Sequence, residues 1–226
     1  MIEINVSERW RETFPGAHIG VLLIGNVDNT LHSTPLEDLK RTLETTLRER
    51  FAGATRAELH ELEVLKAYRD YYKQFSQTYH VQLQLESIVH KGKSLPTVNP
   101  LVDASFIAEL ETLILTASHD ADQLEGALTI DATQGGEAFT QMNGTARTLK
   151  PGDTMMTDAA GIICTILLGQ DARTPITSST RRALFVAYAP AGVTLETVKR
   201  QLELIREHVL VFAPQATLEM TQMFAA

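Results

Sequence analysis

Residues 127–168 read ALTIDATQGGEAFTQMNGTARTLKPGDTMMTDAAGIICTILL. Short apolar runs (ALTIDAT, EAFTQM, TARTL, GIICTILL) alternate with Gly135-Gly136, Asn143-Gly144, Pro151-Gly152 and Ala159-Ala160-Gly161. Asn-Gly and Pro-Gly supply the positive and preset φ angles of tight turns. Each connection is too short for a crossover helix, so the strands are expected to pair antiparallel. With ALFVAYA at 183–189, residues 126–190 read as a largely antiparallel β unit turning at Asn143-Gly144, with no long helix in 126–170.

On either side of this unit the period changes. HIGVLLIGNV (18–27) is a short, β-branched apolar run and reads as a buried strand. PLEDLKRTLETTLRERF (35–51) places Leu36, Leu39, Leu43 and Leu47 at helical spacing behind Pro35. Residues 54–75 read as one second helix with Leu59, Leu62, Leu65 and Tyr72 on its buried stripe. Asn99-Pro100 reads as an N-cap opening a helix to about Thr116. A helix at about 194–209 and an edge strand, TLEMTQMF, close the chain. The acidic stretch SHDADQLEG reads as a connection within one fold, so residues 1–226 are expected to form a single α/β (α+β) domain.

Composition narrows the function. The chain has 226 residues, 44% hydrophobic and 21% charged, as ordinary globular proteins do. No apolar run reaches the roughly 20 residues of a membrane span, and the start, MIEINVSERWRETF, is unlike a secretory signal. The single cysteine, Cys164 in GIICTILL, reads as a reduced core thiol of a cytoplasmic protein rather than a nucleophile. A net charge of −8, with residues 100–125 free of Lys and Arg, argues against DNA as a partner.

Motifs of familiar chemistry are absent. There is no G-x-G-x-x-G, P-loop or G-x-S-x-G, and no cofactor is implied. The seven histidines have neither i, i+4 partners nor neighbouring cysteines, so no metal site is expected. Asp120, Asp122 and Glu125 read as a solvated acidic loop.

A constellation remains. It comprises Ala67-Tyr68-Arg69-Asp70-Tyr71-Tyr72, then residues 91–103 (KGKSLPTVNPLVD), then Asp120 to Gly126. The hairpin at Met142-Asn143-Gly144, Arg173-Thr174-Pro175-Ile176-Thr177 and Thr180 to Phe185 follow. Pro96 and Pro100 push Leu95 and Asn99 toward extended backbone and stiffen the loop before a helix start. Such an end suits an anion, with Lys91 and Lys93 just upstream.

In order and spacing, these segments resemble the tRNA-editing module of the phenylalanyl-tRNA synthetase beta subunit and, more closely, free-standing proteins built on it. The resemblance is strongest over residues 60–190, and its specific part is KGxxLPxxNPLVD. It implies an α/β fold with a two-sheet β unit. It also implies recognition of a tRNA acceptor end or aminoacyl ester; an amino-acid-sized ligand bound without RNA, or another hydrolase reaction in the same cavity, is the alternative. The synthetase module hydrolyses tyrosine wrongly esterified to tRNA, attacking an activated ester with oriented water.

Three departures bear on that chemistry. Ala117 stands where the synthetase has a histidine, and Ala172 aligns with its glutamate within Gly169-Gln170-Asp171-Ala172-Arg173-Thr174. Val81-Gln82-Leu83-Gln84 replaces a Ser-Ser-Glu run of the free-standing relatives. Hydrolysis is therefore expected to be weak or absent. If present, it would fall to Asp171, orienting water, and His119, moving a proton. Substrate or RNA contacts are expected at Lys91, Lys93, Asn99, Asp103, Arg173 and Thr174, around a cavity lined by residues 95–103, 117–122 and 169–174.

Overall fold

The structure, a computed structural model, describes residues 2–30 and 32–226. Strand β1 (Ile4–Val6) and helix α1 (Glu8–Thr13) lead into β2 (His18–Gly25), whose apolar run is buried almost throughout. Helix α2 (Thr34–Arg50) starts where the Ser33 side chain accepts the Leu36 amide, with Pro35 in its first turn.

The expected helix over 54–75 is two helices, α3 (Arg56–Leu59) and α4 (Glu63–Lys73). Thr55 and Glu58 form a capping box that starts α3, and Leu62 adopts extended backbone before α4. Helix α5 (His80–Lys91) follows, ending at Gly92 with φ 61°, a conformation that glycine adopts without penalty.

Helix α6 (Pro100–Thr112) stops short of the expected Thr116, because Leu113 turns left-handed and donates its amide back to Glu109. Thr116–Asp120 is instead strand β3, so the supposed acidic connection begins inside a sheet. A 3-10 turn at Ala121–Gln123 leads to β4 (Leu128–Ala132), β5 (Ala138–Thr140) and β6 (Ala146–Thr148). Strands β7 (Thr154–Asp158), β8 (Gly161–Thr165), β9 (Gly169–Gln170) and β10 (Ala183–Ala189) come next. Helix α7 (Leu195–Phe212) and β11 (Thr217–Ala225) complete the chain.

The strands form a five-stranded sheet (β1-β4-β7-β8-β9), a four-stranded sheet (β11-β2-β10-β3) and the β5-β6 hairpin. Among the described residues the pairing is antiparallel apart from β1 with β4, as the short connections require. The hairpin turns at Asn143-Gly144, and β11 is an edge strand against β2.

Helix α7 packs so closely on β2 that a Cβ on Gly20 would lie 2.7 Å from Val198. The tyrosines of α4 tie the two larger sheets together. Tyr68 donates to the Tyr188 carbonyl and accepts the Leu115 amide at 2.9 Å. Tyr72 reaches the Ile166 carbonyl at 2.7 Å, and Tyr71 reaches Asp153 at 2.6 Å. Tyr79 stacks on Tyr68 with ring centroids 4.0 Å apart. Buried hydroxyls so satisfied hold the β unit against the helices.

Candidate functional site

Beside the edge strand β3 lies a cavity of about 310 Å³. Helix α6 supplies Val102, Ser105 and Phe106; β3 supplies Thr116, Ala117 and Ser118; β9 supplies Gly169 and Gln170. Val98 and Met142 stand at the rim, 58% and 62% exposed despite their apolar side chains. Thus the loop before α6, the first half of β3 and the β9 segment meet around one mostly apolar space. Its size is at the low end of ligand pockets.

Within it the polar groups are few. Ser118 and Ser105 hydroxyls lie 3.2 Å apart. The Gln170 amide donates to the Ser118 carbonyl and, at 3.0 Å, to the Thr174 carbonyl, which caps the open edge of β3. Burial pushes the Cys164 thiol up, so it stays protonated and inert. His80, at the mouth, packs edge-on against Tyr79, and this crowding lowers its pKa although its outer edge stays exposed. Sequence reasoning passed over His80 because α5, rich in Val, Gln and Leu, carries no strong start signal ahead of it.

The expected catalytic pair is placed differently. His119 is fully buried and Asp171 nearly so, and neither lines the cavity. The Thr174 hydroxyl donates to Asp171 at 2.5 Å, which leaves His119 Nδ1 to donate to that hydroxyl at 2.7 Å. Nε2 of His119 has no partner among the described residues. Burial, with Arg173 nearby, lowers the His119 pKa to about 3. This chain of hydrogen bonds ties β3 to the loop after β9.

The other expected contacts divide in the same way. Lys91 and Lys93 are exposed, the latter beside a groove under α5 that shares His80 with the cavity. Asp103 is buried: one oxygen accepts the Val98 amide at 2.9 Å, and the other pairs with Lys40 at 3.0 Å. Lys40 also reaches Glu37, Thr97 and the Pro96 carbonyl. Asn99 caps the Val102 amide, and Asn29 takes the Leu101 amide at 2.9 Å. The start of α6 therefore has its amides satisfied by side chains, and the expected anion site there is occupied from within. Thr174 is buried in the His119 chain, while Arg173 is held by Asp158 at 2.8 Å and by the Gln123 carbonyl.

Among the described residues no three His, Cys, Asp or Glu side chains cluster as metal ligands would, and no helix is long and apolar enough to cross a membrane.

Two sheets stitched by helical tyrosines, with an apolar cavity beside the edge strand, define an α/β module. A sequence profile described as the B3/4 domain matches residues 66–222. The chain belongs to this family. A crystal structure of an N-terminal fragment of the phenylalanyl-tRNA synthetase beta subunit from Pyrococcus horikoshii is similar in fold. Its TM-score is 0.51 at 9% identity, covering 100% of this chain and 55% of that one. The chain thus spans about half the length of that fragment. No curated protein matches it. The resemblance read from KGxxLPxxNPLVD and its neighbours is borne out in family and fold.

Proposed function

We propose that the chain is a binding module for an aminoacyl ester at a tRNA end, with the amino-acid side chain seated in the cavity between α6, β3 and β9. The observation that carries this reading is that two residues from each expected segment (Val98 and Val102, Ala117 and Ser118, Gly169 and Gln170) meet around one apolar space of about 310 Å³. Such a volume admits an amino-acid side chain and little more. The family and the likeness to the synthetase fragment support a module of this kind.

Hydrolysis needs an acid or base within reach of the ester. Beyond the inert Cys164, the one titratable side chain lining the cavity is His80, which has no hydrogen-bond partner to orient it among the described residues. Asp171 and His119 do not line the cavity, and His119 Nδ1 and one Asp171 oxygen are taken up by Thr174. We therefore assign the site to binding, with turnover slow or absent.

Calorimetric titration with a hydrolysis-resistant tyrosyl amide of adenosine tests this. The wild type should bind, and Val102→Trp, which fills the cavity from α6, should bind at least tenfold more weakly. Equal binding by both proteins, or none by the wild type, would contradict the assignment. The net charge of −8 favours a second reading, a free aromatic amino acid as ligand. Free tyrosine binding as tightly as the adenosine amide would decide for it.

A further inference from the structure

A second concave surface adjoins the cavity. It is a groove of about 460 Å³ lined by Gln77, Gln141, Arg147, Lys150, Asp153 and Leu168, among others. Its wall is shared with the cavity at two places. Gln141 lines the groove while the next residue, Met142, lines the cavity; Leu168 and Gly169 divide in the same way. The two spaces thus share neighbouring residues of the β5-β6 hairpin and of the turn into β9.

The charge of this groove runs against that of the whole chain. Arg147 and Lys150 are both exposed, and neither pairs with a carboxylate among the described residues. Arg147 is positioned by a 2.8 Å bond from Nε to the Gln141 side chain, which leaves its terminal nitrogens free. The one carboxylate in the lining, Asp153, is buried and turned inward, taking the Tyr71 hydroxyl at 2.6 Å and the Leu167 amide at 3.2 Å. Gln77 and Gln141 add uncharged amides. Two unpaired cations, over walls whose one carboxylate is buried and bonded inward, suit phosphate groups, which a guanidinium and an ammonium recognise by complementary means.

We propose that this groove holds the phosphodiester backbone of the single-stranded RNA end whose aminoacyl group occupies the adjoining cavity. The inference rests on the proposed function and adds a path for the strand. RNA leaves the cavity past Met142 toward Arg147 and Lys150, rather than past His80 toward Lys91 and Lys93. In a chain of net charge −8, such a local pair confines RNA to one short segment instead of a long duplex.

The test is fluorescence anisotropy with a short labelled single-stranded RNA at two salt concentrations. Three proteins are compared: wild type, Arg147→Ala/Lys150→Ala and Lys91→Ala/Lys93→Ala. Loss of two phosphate contacts should weaken binding roughly tenfold or more and reduce the log–log salt slope by about 1.4, at ~0.7 per contact on a single strand. The Lys91/Lys93 variant should change much less. Both variants should still take the phosphate-free tyrosyl amide of adenosine as the wild type does.

RNA affinity and slope unchanged in the Arg147/Lys150 variant would overturn the path. So would a wild type that binds the amide but no RNA, which leaves the cavity reading standing. A wild type that binds neither overturns both.

Discussion

Glu109 and His119 are two buried titratable groups whose environments set opposite pH dependences. Glu109 on α6 accepts the Thr116 amide at 2.6 Å, and burial raises its pKa from 4.5 to about 8. The fold therefore favours the protonated acid. The stability it contributes is complete below about pH 4.5 and is lost as pH rises toward 8, at ~1.4 kcal/mol per pKa unit. Glu109→Gln keeps the acceptor and removes the charge. Between pH 6.5 and 9 its denaturant midpoint should fall less than that of the wild type; parallel curves would contradict this. His119 works in the other direction. With a folded pKa of about 3 against the ordinary 6.5, it favours the neutral ring, and stability is lost as pH falls from about 6.5 toward 3. His119→Ala and Asp171→Ala should each lower stability by roughly 1–3 kcal/mol, through broken buried hydrogen bonds. Neither should change affinity for the adenosine amide by more than about twofold, as calorimetry would read. At this scale the sequence gives residue types but not directions. His119 and Asp171 look catalytic in a string of letters; only the pairing of β3 with β10 turns the histidine inward.

At the scale of elements, the loop from Lys93 to Asn99 is held from below. Asp103 and Lys40, both 3% exposed in their side chains, form a buried pair tied to Val98, Thr97 and Pro96. Asp103→Ala would leave Lys40 with Glu37 as its remaining carboxylate and release the Val98 amide, costing roughly 1–3 kcal/mol. Limited proteolysis should then cut between Lys93 and Thr97, where the wild type resists; an uncut variant of unchanged stability would contradict this role. The loop, its two prolines and the Asn99 cap were legible because proline and N-cap residues act locally. Lys40 was not, since its partner lies on another helix. The break between α3 and α4 and the early stop of α6 were missed for a related reason. Leu59, Leu62 and Leu65 continue a helical stripe across the break, and Leu113 continues α6 in pattern while adopting positive φ for the sake of β3.

For the whole molecule, the antiparallel β unit could be read from its turn dipeptides, and β11 as an edge strand after Pro214. The grouping of those strands into two sheets was not written locally. It depends on Tyr68, Tyr71 and Tyr72 spanning from α4 to backbone and carboxylate groups 82 to 120 residues away. The same long-range closure makes the cavity, since β9 lies far along the chain from the consecutive α6 and β3 and belongs to the other large sheet. Whether this cavity seats the aminoacyl group is read from a crystal structure with the tyrosyl amide of adenosine. The tyrosyl ring should lie between Val102, Ala117 and Gln170, with His80 as the one imidazole at the mouth. A ring seated elsewhere, such as the groove between Trp10 and Ala191, would contradict the account.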